Sequence, residues 1–385
     1  MLVMPAANRI SGIPDSRQRE SIHVVHVMES FAAGCLAALA TLCHTVRDGI
    51  RHSVIHALRP ESPESFAKLF PGDVSFYFLP MTRAIRPGAD LRAFGRLCGM
   101  LRSLRPDVVH CHSSKAGFLG RWAARWAGLP SVYTPHGYAF LRTDVGPLRR
   151  ACFKSAEWLA ARAGTAIVAC GEEEYKFSRQ LAGRHDPVIC IPNSLNLAEL
   201  DDLRQSMPLC RTQSDQVVVG TCGRLEAQRN PRLFCALALA LQNQALWTWI
   251  GASQHNAILP PGVECPGWLS RGEALTRLAA LDIYVQTSLW DGLSYSVLEA
   301  MALGKAVVAT DIPANRAIVQ HGVTGFLGAS AEELIAHVRR LIQDAELRRR
   351  MGAAARRRVE ERHDARNVYR AYASLYRTLC GGKGL

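Results

Sequence analysis

Apolar and polar positions along this 385-residue chain alternate between two periods. Short β-branched runs read as buried strands: "IHVVHVM" from Ile22, "HSVIHAL" over residues 52–58, "VSFYFL", "PDVVHCH" and "PSVYTPHG". Stretches with helical spacing lie between them, among them "LRAFGRLCGMLRSL" and "AGFLGRWAARWAG". Such alternation predicts a parallel, doubly wound sheet. It restarts after residue 215 with "QVVVGTCG", "NPRLFCALALALQNQ", "LWTWIG", "GEALTRLAALD", "IYVQTS" and "KAVVAT". The expected fold class is therefore α/β, with two doubly wound, Rossmann-like domains. The expected boundaries are a disordered tail at 1–20, a first domain at 21–205, a polar linker at 206–215, a second domain at 216–361 and a last helix at 362–385. In that helix Val368, Tyr372, Leu375 and Leu379 form one stripe that must be buried.

Composition narrows the class of partner. The net charge of +13 favours anionic partners. No zinc-finger spacing and no aromatic-basic RNA motif is present, so nucleic acid is set aside. The 12 cysteines include no C-x-x-C pair. Cys170, Cys190 and Cys222 sit in apolar runs and read as buried thiols in a reducing compartment. "FAAGCLAALATLC" (31–43) is shorter than the roughly 20 residues a bilayer requires and reads as a buried helix. The expectation is a cytoplasmic protein, soluble or peripheral to a membrane.

Ligands of doubly wound sheets bind outside the carboxyl ends of the strands, so candidate chemistry is sought in those loops. "ESFAAG" brings Gly34, where small residues admit a ligand against backbone N–H groups or serve only a tight turn. "HCHSSKAGFLGR" and "TPHGYAF" place His110, His112, Lys115 and His136 at strand ends without metal-ligand spacing. His110 reads as a satisfied core or loop histidine, and His136 as a functional one. "GTCGRLEAQRNP" sets Arg224 and Arg229 beside a helix start, suited to a diphosphate or to a surface ion-pair network. In "WDGLSYSVLEAMALGKAVVAT", Asp291 lies in a turn and Glu299 eight positions on, within an apolar helix. Ser294 is expected to cap that helix, leaving N–H groups from Gly292 and Leu293 to Val297 facing the cleft. Glu299 belongs to a solvated face or offers an acceptor-only carboxylate to a vicinal diol.

These motifs, with "IPNSLN" and "VTGFL", occur in an order that resembles family 4 of the retaining glycosyltransferases, from Ile22 to the last helix. The stretch "HSSKAGFLGR…YTPHGYAF" is most similar to the enzymes that build bacterial surface polysaccharides. The resemblance implies the GT-B fold, two domains facing a cleft with the last helix packed back on the first. It implies a nucleoside-diphosphate sugar as donor, UDP favoured over GDP, with no separate cofactor and no metal. Arg224 and Arg229 are then expected to hold the diphosphate and Glu299 the ribose. Asp291 and the Gly292–Leu293–Ser294 turn would lie by the donor sugar, His136 by the reacting bond, and Gly34 by the phosphate and acceptor. Asp291 stands where the family usually has Glu, Arg229 where it has Lys, and Ser194 where it has Gly. The absence of any D-x-D triplet argues against the metal clamp of the other main glycosyltransferase fold.

The expected acceptor is a polyprenyl-diphosphate-linked or other glycan. Two alternatives stay open: a nucleotide-sugar epimerase of the same fold, and a catalytically silent donor-binding subunit. The run "LRRRMGAAARRRVEER" reads as a solvated helix face. Arg83, Arg86, Arg92, Arg96, Lys115, Arg121, Arg142, Arg149 and Arg150 instead suggest a first-domain face for an anionic inner leaflet.

Overall fold

The computed structural model describes residues 21–183, 187–206, 216–251 and 259–381. The tail expected at 1–20 and, beyond residue 206, the linker expected at 206–215 lie outside the described residues.

The first sheet contains β1 (Ile22–Met28), β2 (Ile50–His56), β3 (Ser75–Phe78), β4 (Val108–His112), β5 (Ser131–Thr134), β6 (Ala166–Ala169) and β7 (Val188–Cys190). Their order is β3-β2-β1-β4-β5-β6-β7, parallel throughout. The second contains β8 (Val217–Cys222), β9 (Ala245–Ile250), β10 (Val263–Glu264), β11 (Ile283–Gln286), β12 (Ala306–Thr310) and β13 (Gly325–Gly328). Its order is β10-β9-β8-β11-β12-β13, again all parallel. Each order reverses once, between β1 and β4 and between β8 and β11. A crevice opens at such a reversal because the adjacent loops leave to opposite sides of the sheet. The loops after β8 and β11 carry Arg224 with Arg229 and Asp291, and Gly34 lies in the first turn of the helix after β1, Ala33–Thr45.

Helices cover both faces of each sheet, so the central strands are buried almost throughout, the histidines of β1 and β4 included. In the first sheet Val25, Val27, Ile55, Val109 and Cys111 face one core. The opposite face carries Val24, Met28, Val54 and Val108, covered by helix Ala33–Thr45 and the end of the chain. His26, His52, His110 and His112 share the parity of that second set and are buried there.

The chain returns to the first domain after helix Ala345–Arg362. The Leu195 N–H donates to the His363 carbonyl at 2.8 Å, and the Ala365 N–H to the Leu195 carbonyl at 3.0 Å. His363 Nδ1 lies 2.8 Å from the Asn193 carbonyl. Helix Arg370–Gly381 then buries Tyr372, Leu375 and Tyr376 in the first-domain core. Val368 and Leu379 of the expected stripe are only partly buried. Asp364 caps a separate short helix, Ala365–Val368, so the stripe does not run unbroken.

Three local expectations are corrected, and one strand is added. The second strand ends at His56, and Leu58 beyond it is 51% exposed. β7 is an edge strand, which leaves Cys190 exposed. β10 is too short for its pattern to have been recognised. Arg121 is no surface cation: it is 1% exposed, donates to Glu157 at 2.7 Å and lies 3.9 Å over the Tyr133 ring.

Helix Ala345–Arg362 packs on helix Tyr295–Ala302, which carries Glu299. Gly352 lets the two meet, because a Cβ there would overlap the Gly304 carbonyl oxygen. Gly352→Ala is expected to destabilise the protein by about 1–3 kcal/mol, read as a lower urea midpoint with an unchanged m-value.

Candidate active site

A cleft of about 1440 Å³ separates the two sheets. Its second-domain wall gathers the guanidinium groups of Arg224, Arg229 and Arg271. Arg224, directly after β8, contacts Glu226 at 3.1 Å. Arg229 ends a single 3-10 turn and meets Asp291 at 3.0 Å, with the Ser288 and Ser294 hydroxyls at 3.3 and 3.4 Å. Arg271 starts helix Arg271–Ala279, whose N-cap Ser270 forms a capping box with Glu273. It donates to Glu299 at 2.6 Å and lies 3.5 Å from Glu199. Burial works against the Arg271 charge, but Glu299 and Glu199 outweigh it and hold the guanidinium above its ordinary value.

Glu299 is therefore no solvated face. Its side chain is 8% exposed, surrounded by an apolar helix and aimed into the cleft. Asp291 accepts from Arg229 and, at 2.9 Å, from the Gly292 N–H. Ser294 occupies the N-cap position but does not cap the helix through its side chain. Gln286, on the adjacent strand end, reaches the Ser294 hydroxyl at 3.1 Å. The hydroxyl also lies 3.2 Å from that of Ser296. The Gly292 N–H is taken by Asp291, so it is not among the N–H groups left to the cleft. The Leu293 carbonyl accepts from Asn193 Nδ2 at 2.9 Å, tying the two domains together.

The opposite wall is built on Gly34 and His136. A Cβ at Gly34 would stand 3.6 Å from Tyr295, so the first turn of helix Ala33–Thr45 touches the second domain. His136 and Gly137 both have left-handed backbone, φ 53° and 96°. A non-glycine residue held there is uncommon and points to a constrained turn. The Glu174 carboxylate fixes it by accepting from the N–H groups of Gly137 at 2.7 Å and Cys170 at 2.6 Å. A Cβ at Gly292 would lie 3.4 Å from the Gly137 nitrogen, so the two loops meet backbone to backbone.

The structure thus brings Gly34, His136, Arg224, Arg229, Asp291, Gly292, Leu293, Ser294 and Glu299 to one cleft. Sequence reading missed Arg271, Asn193, Gln286 and Glu174. The Ser270-x-x-Glu273 box that encloses Arg271 was the available signal for that residue. His110 is a satisfied core histidine, 2.7 Å from the Tyr376 hydroxyl and 2.8 Å from that of Thr134.

Two buried groups in the described residues, His26–His110–His112 and His26–Cys43–His52, have candidate ligand atoms within 4.8 Å of one another. The His26 nitrogens instead meet those of His52 and His112 at 2.9 and 3.1 Å, hydrogen-bond separations.

Two facing Rossmann-like domains around an anion-suited crevice define the GT-B class of fold. The structure matches sucrose-phosphate synthase from Thermosynechococcus elongatus with a TM-score of 0.75, at 17% identity, over 94% of this chain and 100% of that one. It matches Anabaena HepE in complex with UDP-glucose with a TM-score of 0.72, at 18% identity, over 93% and 100%. The family model "Glycosyl transferase 4-like domain" matches residues 43–194, and "Glycosyl transferases group 1" matches residues 173–358. The chain belongs to this glycosyltransferase family and is a transferase. It is 28% identical, over 66% of its length and 70% of the relative's, to the Escherichia coli UDP-Gal:alpha-D-GlcNAc-diphosphoundecaprenol alpha-1,3-galactosyltransferase. It is 22% identical, over 76% and 82%, to the Campylobacter jejuni N,N'-diacetylbacillosaminyl-diphospho-undecaprenol alpha-1,3-N-acetylgalactosaminyltransferase.

Burial lowers the imidazole pKa of His136 and of His363 from 6.5 to about 4. Below pH 6.5 the unfolded chain takes up protons that the folded chain refuses. The stability is therefore fully present above about pH 6.5 and is lost as the pH falls towards 4. Each histidine contributes a slope of about 1.4 kcal/mol per pH unit inside that window. Urea unfolding at pH 7.5, 6 and 5 is expected to show a midpoint that falls with pH.

Proposed function

We propose that this protein transfers a sugar from a UDP-sugar to a hydroxyl of a polyprenyl-diphosphate-linked glycan, with retained anomeric configuration. The observation that carries this reading is the placement of Arg224, Arg229 and the buried Glu299 on one wall, with His136 on the other. Arg224 and Arg229 neutralise the diphosphate as its bond to the anomeric carbon breaks, a preorganised electrostatic contribution. Glu299, oriented by Arg271, accepts from the ribose diol. Asp291 holds Arg229 in the cleft and, with the turn Gly292 to Ser294, orients the donor sugar. The acceptor oxygen bonds to the anomeric carbon, and its proton passes to the leaving diphosphate. His136 lies beside that bond, and Gly34 leaves room for the phosphate and acceptor. The two diphosphoundecaprenol-acting relatives support the acceptor class, and the UDP-glucose complex of HepE supports the donor.

Arg224→Ala and Glu299→Ala are each expected to lower transfer from a panel of UDP-sugars by about 10²-fold or more while the thermal transition is retained. Near-normal turnover in either variant removes the site assignment. NMR of the product decides retention, and a changed donor sugar without acceptor identifies an epimerase.

The acceptor reading asks for a membrane-facing surface. Among the described residues no helix is long and apolar enough to cross a membrane. Ile85, Leu91 and Leu148 are 70%, 71% and 78% exposed beside exposed Arg86, Arg92, Arg149 and Arg150. Exposed apolar side chains among cations suit the cytoplasmic leaflet of an anionic membrane. Vesicles containing phosphatidylglycerol are expected to bind the protein, with affinity that falls as salt rises and is lost in Leu91→Glu/Leu148→Glu. Binding unaffected by salt, or equal binding to neutral vesicles, counts against it.

A further inference from the structure

Four histidines of the first domain form one hydrogen-bonded file that ends in the cleft. His52 Nε2 meets the Val46 carbonyl oxygen. His52 Nδ1 lies 2.9 Å from His26 Nε2, and His26 Nδ1 lies 3.1 Å from His112 Nε2. His112 Nδ1 lies 3.1 Å from His136 Nε2. His136 Nδ1 faces the Cys170 sulfur at 3.7 Å. The rings come from β2, β1 and β4 and from the turn after β5, so adjacent strands supply successive members.

We infer that the Val46 carbonyl fixes the tautomer of His136, a residue that lines the cleft, through this file, leaving its Nδ1 bare as a hydrogen-bond acceptor.

The direction follows from counting protons. A carbonyl oxygen only accepts, so His52 must carry its proton on Nε2. A neutral ring has one N–H, so His52 Nδ1 accepts and His26 donates from Nε2. The same step repeats at His112 and at His136. Every ring then carries its proton on Nε2, and His136 is left with a bare Nδ1. The rings are neutral because burial holds His26, His52 and His112 below the ordinary imidazole value and His136 at about 4. His110 lies against His112, ring centroids 4.0 Å apart and planes tilted by 35°, but sets no direction. Both of its neighbours are hydroxyls, which accept or donate equally well.

At the cleft end the partner is weak. Burial pushes the Cys170 thiol well up, so it remains S–H, a poor donor at 3.7 Å. A sugar hydroxyl is a stronger donor and can take its place. That last step rests on the proposed donor site; the file itself does not. His26, His52 and His112 are positioning residues, and His136 is the residue they present.

The test uses the full chain labelled with 15N-histidine, with His136 assigned by difference against His136→Gln. Long-range 15N–1H spectra at pH 7.5, without substrate, are expected to show His136 protonated on Nε2 alone. His52→Leu removes the anchor and is expected to give His136 a mixture of tautomers. His52→Gln, whose amide both donates and accepts, is expected to restore the single form. With UDP-glucose as probe, His52→Leu is expected to lower kcat for sugar release about fivefold with KM within twofold, and His52→Gln to recover it. His136 protonated on Nδ1, a tautomer unmoved in His52→Leu, or stoichiometric zinc in the purified protein overturns the inference. If His52→Leu does not fold, the wild-type spectrum decides alone. A wild-type protein inactive on UDP-glucose speaks against the donor reading, while the substrate-free spectrum still tests the file. A changed tautomer with unchanged kcat overturns the role of the file in transfer.

Discussion

Charge taken out of water must be answered by opposite charge within a few ångströms, and the cleft wall of the second domain obeys this at three places. Arg224 has Glu226 at 3.1 Å, Arg229 has Asp291 at 3.0 Å and Arg271 has Glu299 at 2.6 Å. Pairing lets three cations share one wall without driving it apart. It also ties the loop after β8 to the loop after β11, through Arg229 and Asp291, and the helix that begins at Arg271 to the helix that carries Glu299. On the proposed reading, a diphosphate entering the cleft competes with these carboxylates for the guanidinium groups. The ion pairs hold the guanidinium groups in a charged, ordered arrangement along the wall.

The first domain meets the same constraint with neutral groups. A parallel sheet covered on both faces has no water for its polar side chains, so each needs a partner inside. Histidines offset by two residues in register on neighbouring strands supply that partner to one another. The last helix adds the Tyr376 hydroxyl for His110. Glu174, also buried, spends its carboxylate on two backbone N–H groups and so holds the turn that carries His136. Satisfying buried polar groups and shaping the cleft are therefore one arrangement in this domain.

The two domains are joined on either side of the cleft floor. Asn193 reaches the Leu293 carbonyl, and the backbone around Gly137 meets that around Gly292. The crossing at Leu195 and His363 brings the chain back, and the Tyr369 hydroxyl then sits 3.1 Å from that of Tyr295. Tyr295 begins the helix that carries Glu299, so the last helices buttress the donor wall as well as the first-domain core.

The sequence alone determined the alternation of strand and helix, and with it two parallel sheets. Those periods are local: they depend on which neighbouring side chains share a face. Parallel topology then directed attention to the loops at strand ends, where Gly34, His136, Arg224, Arg229, Asp291 and Glu299 were legible as candidates. Only the tertiary structure decided their partners. Arg271 meets Glu299 across 28 positions, and Arg229 meets Asp291 across 62. Arg121, counted from sequence as a surface cation, is buried against Glu157. The histidine file was visible only as alternating positions in separate strands, because its register depends on β1 lying between β2 and β4. Strand order is set by long-range packing, which no local period records. The identity of the groups was therefore written in the sequence, while their charges, partners and proton positions were fixed by the fold.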